Sequence, residues 1–110
     1  MGKREGKIEK ALVRRIKDIG GEVRKAMWIA HRGCPDRRAM IPKLWREHLR
    51  WVLPASANAN GQNPWVECKA TGEPLEDYQE REHKKMRRHG ELVLIIDTLE
   101  DIDRYFPLVP

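Results

Sequence analysis

The chain has only two cysteines, Cys34 and Cys68, and neither a CxxC nor an HxxxH pair in 110 residues. A four-thiolate zinc site is excluded, and reduced cysteines that fill core volume are the expectation. Long apolar runs are missing as well. None is longer than that of Leu92 to Ile96, five residues, against the ~20 that a bilayer-spanning helix needs. Lys3, Arg4 and Glu5 put charge where a signal peptide would be apolar, so a cytoplasmic protein is expected. Apolar material is not scarce. At 40% of the sequence it is too abundant for a wholly disordered chain, and the length suits a single domain, 1–110. Charge is plentiful: 22 Lys and Arg against 17 Asp and Glu, a net of +5. That surplus permits nucleic-acid binding without requiring it.

Ile8, Ala11, Leu12, Ile16 and Ile19 recur at three- and four-residue spacing, which predicts a helix over 7–20 ended by Gly20 and Gly21. Residues 22–29 (EVRKAMWI) predict a half-buried strand with Val23, Met27 and Ile29 on one parity. A second strand follows at 36–41, stopped by Pro42, and a third at 65–70. Between these two lies an elaborated connection, 42–63. Its basic, Trp-containing first half is expected to be ordered, and 55–62, rich in small residues and amides, to be mobile. Pro74 with Glu73, Glu76 and Asp77 opens a helix whose far end carries Lys84, Lys85, Arg87, Arg88 and His89 before Gly90. Leu92 to Ile96 predict a strand buried on both faces, and Thr98 can cap a short helix through Arg104. The order α-β-β-β-α-β describes an α/β fold, a sheet flanked by helices.

Strand alternation puts Glu67 and Lys69 on one face and Cys68 on the other. With the second and third strands as neighbours, Asp36 joins the face of Glu67. Two carboxylates one strand spacing apart, ~4.8 Å, make a hard-oxygen site for Mg2+ or Mn2+, completed by a backbone carbonyl and waters. Such an ion polarises a phosphoryl oxygen and acidifies a bound water, while the Lys69 ammonium can position that water and offset developing charge. An ExK triplet alone is a weak signal. A Pro-Asp pair opening one strand, ExK in another and a helix with Gln79 one turn inside make a stronger one.

The series Ile8-Glu9, Gly20-Gly21, Arg32-Gly33-Cys34-Pro35-Asp36-Arg37, Trp65-Val66-Glu67-Cys68-Lys69 and Gln79 resembles the VRR-NUC family, the virus-type replication-repair nucleases of the PD-(D/E)xK superfamily. The resemblance spans almost the whole chain and implies a restriction-endonuclease-like core with a central mixed sheet. It implies a catalytic set of Glu9, Asp36, Glu67, Lys69 and Gln79. Within it Glu9, Asp36, Glu67 and the Cys68 carbonyl would be metal ligands, and Lys69 the water-orienting group. Gln79 would support the site through hydrogen bonds to Lys69, a metal-bound water or DNA. Arg32, Arg37, Arg38, Lys84 and Arg88 are candidate phosphate contacts, although a basic helix end also serves to balance the helix dipole. The activity implied is that of a Mg2+- or Mn2+-dependent, structure-specific DNA endonuclease. It would be a four-way (Holliday) junction resolvase acting as a homodimer, in the host cytoplasm for a phage member. A flap or nicking endonuclease is the alternative, and a non-catalytic nucleic-acid-binding module the alternative of another class. Tyr105, Phe106, Leu108 and Val109 with Trp45 and Trp51 offer apolar surface for a dimer. His31, His48, His83 and His89 show no metal spacing and are assigned surface or core roles.

Overall fold

The computed structural model of the chain describes residues 3–28 and 31–110. The first helix, α1 (Lys3–Asp18), starts four residues before its expected boundary. It lays Ile8, Leu12 and Ile16 on the sheet, all buried. Strands β1 (Glu22–Lys25) and β2 (Arg37–Met40) pair antiparallel, with Val23 opposite Ala39 and Lys25 opposite Arg37. Strand β1 is shorter than its pattern suggested. Met27 is 90% exposed rather than half-buried, because the chain leaves β2 after Ala26 and brings Trp28 edge-on to Trp65 at 5.6 Å. Ile29, the third residue of that expected parity, lies outside the described residues.

The connection 42–63 holds a helix absent from the expected element order, α2 (Lys43–Val52), whose N-cap is Pro42. It buries Leu49 and packs on α4 (Leu99–Tyr105), the short helix capped by Thr98. The Trp45 indole donates to the Pro107 carbonyl at 2.6 Å, and Arg104 donates to the Val52 carbonyl at 3.0 Å. Residues 55–62 are tied down rather than loose. A 3-10 turn at Ala55–Ala57 leads to Asn58, whose amide donates to the carbonyls of Arg87 and Glu91 at 2.9 and 3.0 Å. Gln62 donates to the Gly90 carbonyl at 2.8 Å, and Asn63 accepts the Ile41 N–H at 2.9 Å. The amides that read as loop composition are the anchors.

Strand β3 (Trp65–Cys68) runs antiparallel to β2 and parallel to β4 (Val93–Ile96), so the sheet order is β1-β2-β3-β4 and the sheet is mixed. Ala39, Val66, Cys68, Leu94 and Ile96 face α1 and α4 and form the main core with Leu12, Ile16, Ile102 and Phe106. The other face carries Trp65, Glu67, Val93 and Ile95 toward α3 (Asp77–Arg88), whose His83 and Met86 are buried. Pro74 stands outside α3, which starts instead at a capping box between Glu76 and Gln79. The tail contributes less free apolar surface than its sequence suggested. Phe106 is core, and Trp45 is half-buried, while Leu108, Val109 and Trp51 stay exposed.

Candidate active site

The carboxylates arrive from three directions. Glu9 shares the stripe of Leu12 and Ile16, three and seven residues on, so it points at the sheet rather than at water; its side chain is 14% exposed. Asp36 immediately precedes β2, and its carbonyl accepts the Ala26 N–H at 2.9 Å. Carrying the β2/β3 register one step past the Arg37–Val66 pair sets Asp36 across from Glu67. Gly33 makes this placement possible. Its φ of +88° turns the chain sharply where it passes the backbone of α3 at Tyr78, and Pro35 is then fully buried.

Glu67 is the most enclosed of the three carboxylates, with a side chain 5% exposed. Its Oε1 lies 3.5 Å from Nε2 of His83, which is fully buried, and among the described residues neither that oxygen nor either ring nitrogen has a hydrogen-bond partner. Glu9 Oε2 is buried in the same condition. Buried acceptors without donors are costly, unless something electropositive completes them. Lys69, also buried, follows β3 and holds its ammonium 3.6 Å from Glu73. Gln79 is half-buried on the first turn of α3, where its Oε1 accepts the Glu76 N–H at 2.9 Å. That bond is to its own helix, within the capping box.

Arg37 departs from its expected role as a phosphate contact. Alternation along β2 turns it to the α1 side, where it is 5% exposed, hydrogen-bonded to Glu9 and 3.5 Å from the Asp36 carboxylate. It also donates to the Asp36 carbonyl at 2.8 Å. Burial opposes its charge, but the bond to Glu9 and the fields of Asp36 and Glu9 hold its pKa above the ordinary value. Cys68 sits among these groups. Burial first, then the fields of Asp36 and Glu9, push its thiol up to about 12, with Arg37 acting in the opposite sense. The other candidate cations remain outward. Arg32 stacks over Tyr78 at 4.1 Å and Arg38 over Trp65 at 4.7 Å, on the α3 side of the sheet, while Lys84 and Arg88 are exposed along α3. Lys84 pairs with Glu80 at 3.2 Å.

The donor set suits a hard divalent ion. Asp36, Glu67 and the Cys68 carbonyl offer oxygen ligands, with an orphaned acceptor already buried at Glu67. Among the described residues no three His, Cys, Asp or Glu side chains are gathered closely enough to cage an ion unaided, so water would have to complete the shell, as is usual for Mg2+. Sequence reasoning missed His83 as a neighbour of Glu67. The available signal was its position four residues after Gln79, on the same face of α3.

No family model matches the chain. Over 106 residues it is 35% identical to a protein named "Putative nuclease p44" from Acyrthosiphon pisum secondary endosymbiont phage 1, covering 96% of this chain and 95% of that one. Among solved structures, one described as a VRR_NUC domain matches with a TM-score of 0.70 at 24% identity, covering 94% of each chain.

Proposed function

Because the chain belongs to the VRR-NUC family of nucleases, we propose that it hydrolyses phosphodiester bonds in DNA with a divalent ion, Mg2+ or Mn2+, held by Asp36, Glu67 and the Cys68 carbonyl. The observation that carries this reading is Glu67: a carboxylate 5% exposed, with an unsatisfied oxygen, beside a strand that delivers Asp36. A divalent ion bound there would supply Lewis acidity toward a phosphoryl oxygen and toward the attacking water. The Lys69 ammonium, two residues from Glu67, offsets negative charge as it develops on phosphorus and orients the water. Arg32 and Arg38 take the phosphate backbone on the α3 side, and Lys84 and Arg88 extend that contact along α3. Gln79 supports the site from the first turn of α3. No helix is long and apolar enough to cross a membrane among the described residues.

The substrate we favour is branched DNA, a four-way junction cut by two copies of the chain. One chain offers one candidate site, so paired incision of two strands takes two. Leu44 and Trp51, 66% and 86% exposed and seven residues apart on α2, give a second copy apolar surface to cover. Labelled four-way junction, flap and linear duplex, incubated with Mg2+, Mn2+ or EDTA, test the reading. Cleavage should need the metal and favour the junction; a preference for the flap would establish the alternative activity. Asp36→Ala should lower cleavage by more than about a hundredfold, above the range typical of losing a group that only orients a ligand. Binding to the junction in EDTA should persist. Near wild-type cleavage by Asp36→Ala would remove Asp36 from the site, and sedimentation showing only fully active monomer would remove the dimer.

A further inference from the structure

We propose that Arg37 is the resident counter-cation of the helix carboxylate Glu9, so that the acidic centre takes one divalent ion rather than two and Glu9 is not among its ligands. This rests on the metal-site reading above and goes beyond it by assigning the charge of each group. Arg37 is buried on the α1 side of the sheet, and one terminal nitrogen is hydrogen-bonded to Glu9 while the other reaches the Asp36 carboxylate at 3.5 Å and the Asp36 carbonyl at 2.8 Å. A guanidinium keeps its proton in any protein environment. It is therefore a permanent positive charge fixed between two carboxylates that reach the strand end from different elements.

The charge count then follows. Lys69 and Glu73 face each other at 3.6 Å and offset one another. Of the three carboxylates, Glu9 is hydrogen-bonded to the fixed guanidinium of Arg37, which leaves Asp36 and Glu67, the latter against His83, for one divalent ion. Without Arg37, Glu9 would stand without a cation, and a second ion would be drawn to it. The geometry agrees. Arg37 holds Glu9 on the α1 side, while Glu67 points to α3 against His83, and no three carboxylate, imidazole or thiolate groups converge among the described residues. Arg37 is also a positioning residue: one terminal nitrogen donates to the Asp36 carbonyl and lies 3.5 Å from its carboxylate while the other donates to Glu9, a two-nitrogen bridge that a lysine could not reproduce.

The test is to count ions on the full chain, by calorimetric titration with Mn2+ and by the loss of free Mn2+ signal in electron paramagnetic resonance. Wild type should take one Mn2+. Glu9→Gln, which can still accept from Arg37, should also take one, with an affinity loss below about tenfold, the lower bound for losing a group that orients a ligand. Glu67→Gln should lose more than about a hundredfold. Arg37→Leu should gain a second Mn2+. Because that variant leaves Glu9 buried without its cation, the double variant Arg37→Leu with Glu9→Leu keeps the test decisive: it should fold and return to one ion. Loss of the ion in Glu9→Gln as severe as in Glu67→Gln would overturn the proposal, and so would a single Mn2+ of wild-type affinity in Arg37→Leu. Both results would leave the metal site standing. No Mn2+ on wild type, or full binding by Glu67→Gln, would instead remove the site reading itself.

Discussion

Gly33→Ala adds one methyl group at the point where the loop carrying Asp36 presses on α3. The new Cβ would stand 2.5 Å from the Tyr78 carbonyl oxygen and 2.9 Å from the Glu82 Cβ, at a φ of +88°. Left-handed backbone costs a non-glycine residue ~1–2 kcal/mol. Crowding a helix backbone that cannot yield adds ~1–3 kcal/mol. A loss of about 3 kcal/mol corresponds to a fall in Tm of roughly 12–24 °C for a domain of this size. Gly72→Ala isolates the first contribution, since Gly72 has a φ of +81° and nothing within 4 Å of an added Cβ. Thermal and urea unfolding of both variants, followed by circular dichroism, separate strain from contact. Wherever the loop relieves the clash by moving off α3, Asp36 moves relative to Glu67, so cleavage should fall further than DNA binding does. Stability of Gly33→Ala within about 0.5 kcal/mol of Gly72→Ala would refute the close approach, and with it the account of how Asp36 is placed.

Asn58→Ala removes the amide bonds to the Arg87 and Glu91 carbonyls from a residue at φ 65°. Urea unfolding should show a loss of about 2–4 kcal/mol, whereas Asn58→Gly, which keeps the backbone conformation, should lose less; no loss in either would make 55–62 a passive surface loop. Gly6→Ala, inside α1 with nothing within 4 Å of the added Cβ, should raise stability by about 0.5–1 kcal/mol in the same assay.

The elements that sequence reasoning located best are those whose signals are local. The α3 helix has acid at its start, base at its end and Gly90 behind it, and β4 is a short run of β-branched residues and leucine bounded by turn signals. Helix α2 is not legible as a helix, although Trp45, Leu49 and Val52 have helical spacing. Its stripe packs on α4 rather than on the sheet, and the prolines at 42 and 54 made the segment read as a connection. Residues 55–62 were misread for a different reason. Asn58 and Gln62 bond to backbone carbonyls some thirty residues away, and composition carries no information about a distant acceptor.

The site divides along the same line. Glu67, Lys69 and Asp36 are set by spacing and by strand alternation, so their candidacy was open to reading from the chain alone. Arg37 is expected among the phosphate contacts, yet alternation carries the correction: Arg37 shares its parity with Ala39, which is wholly buried. A charged residue on the core parity of a strand needs an opposite charge from the element packed above it. On α1 that charge comes from the stripe of Leu12 and Ile16, where Glu9 accepts from Arg37. Pairing Arg37 with Glu9 is thus what two periodicities, 2 along β2 and 3.6 along α1, produce when a charge on each is turned inward.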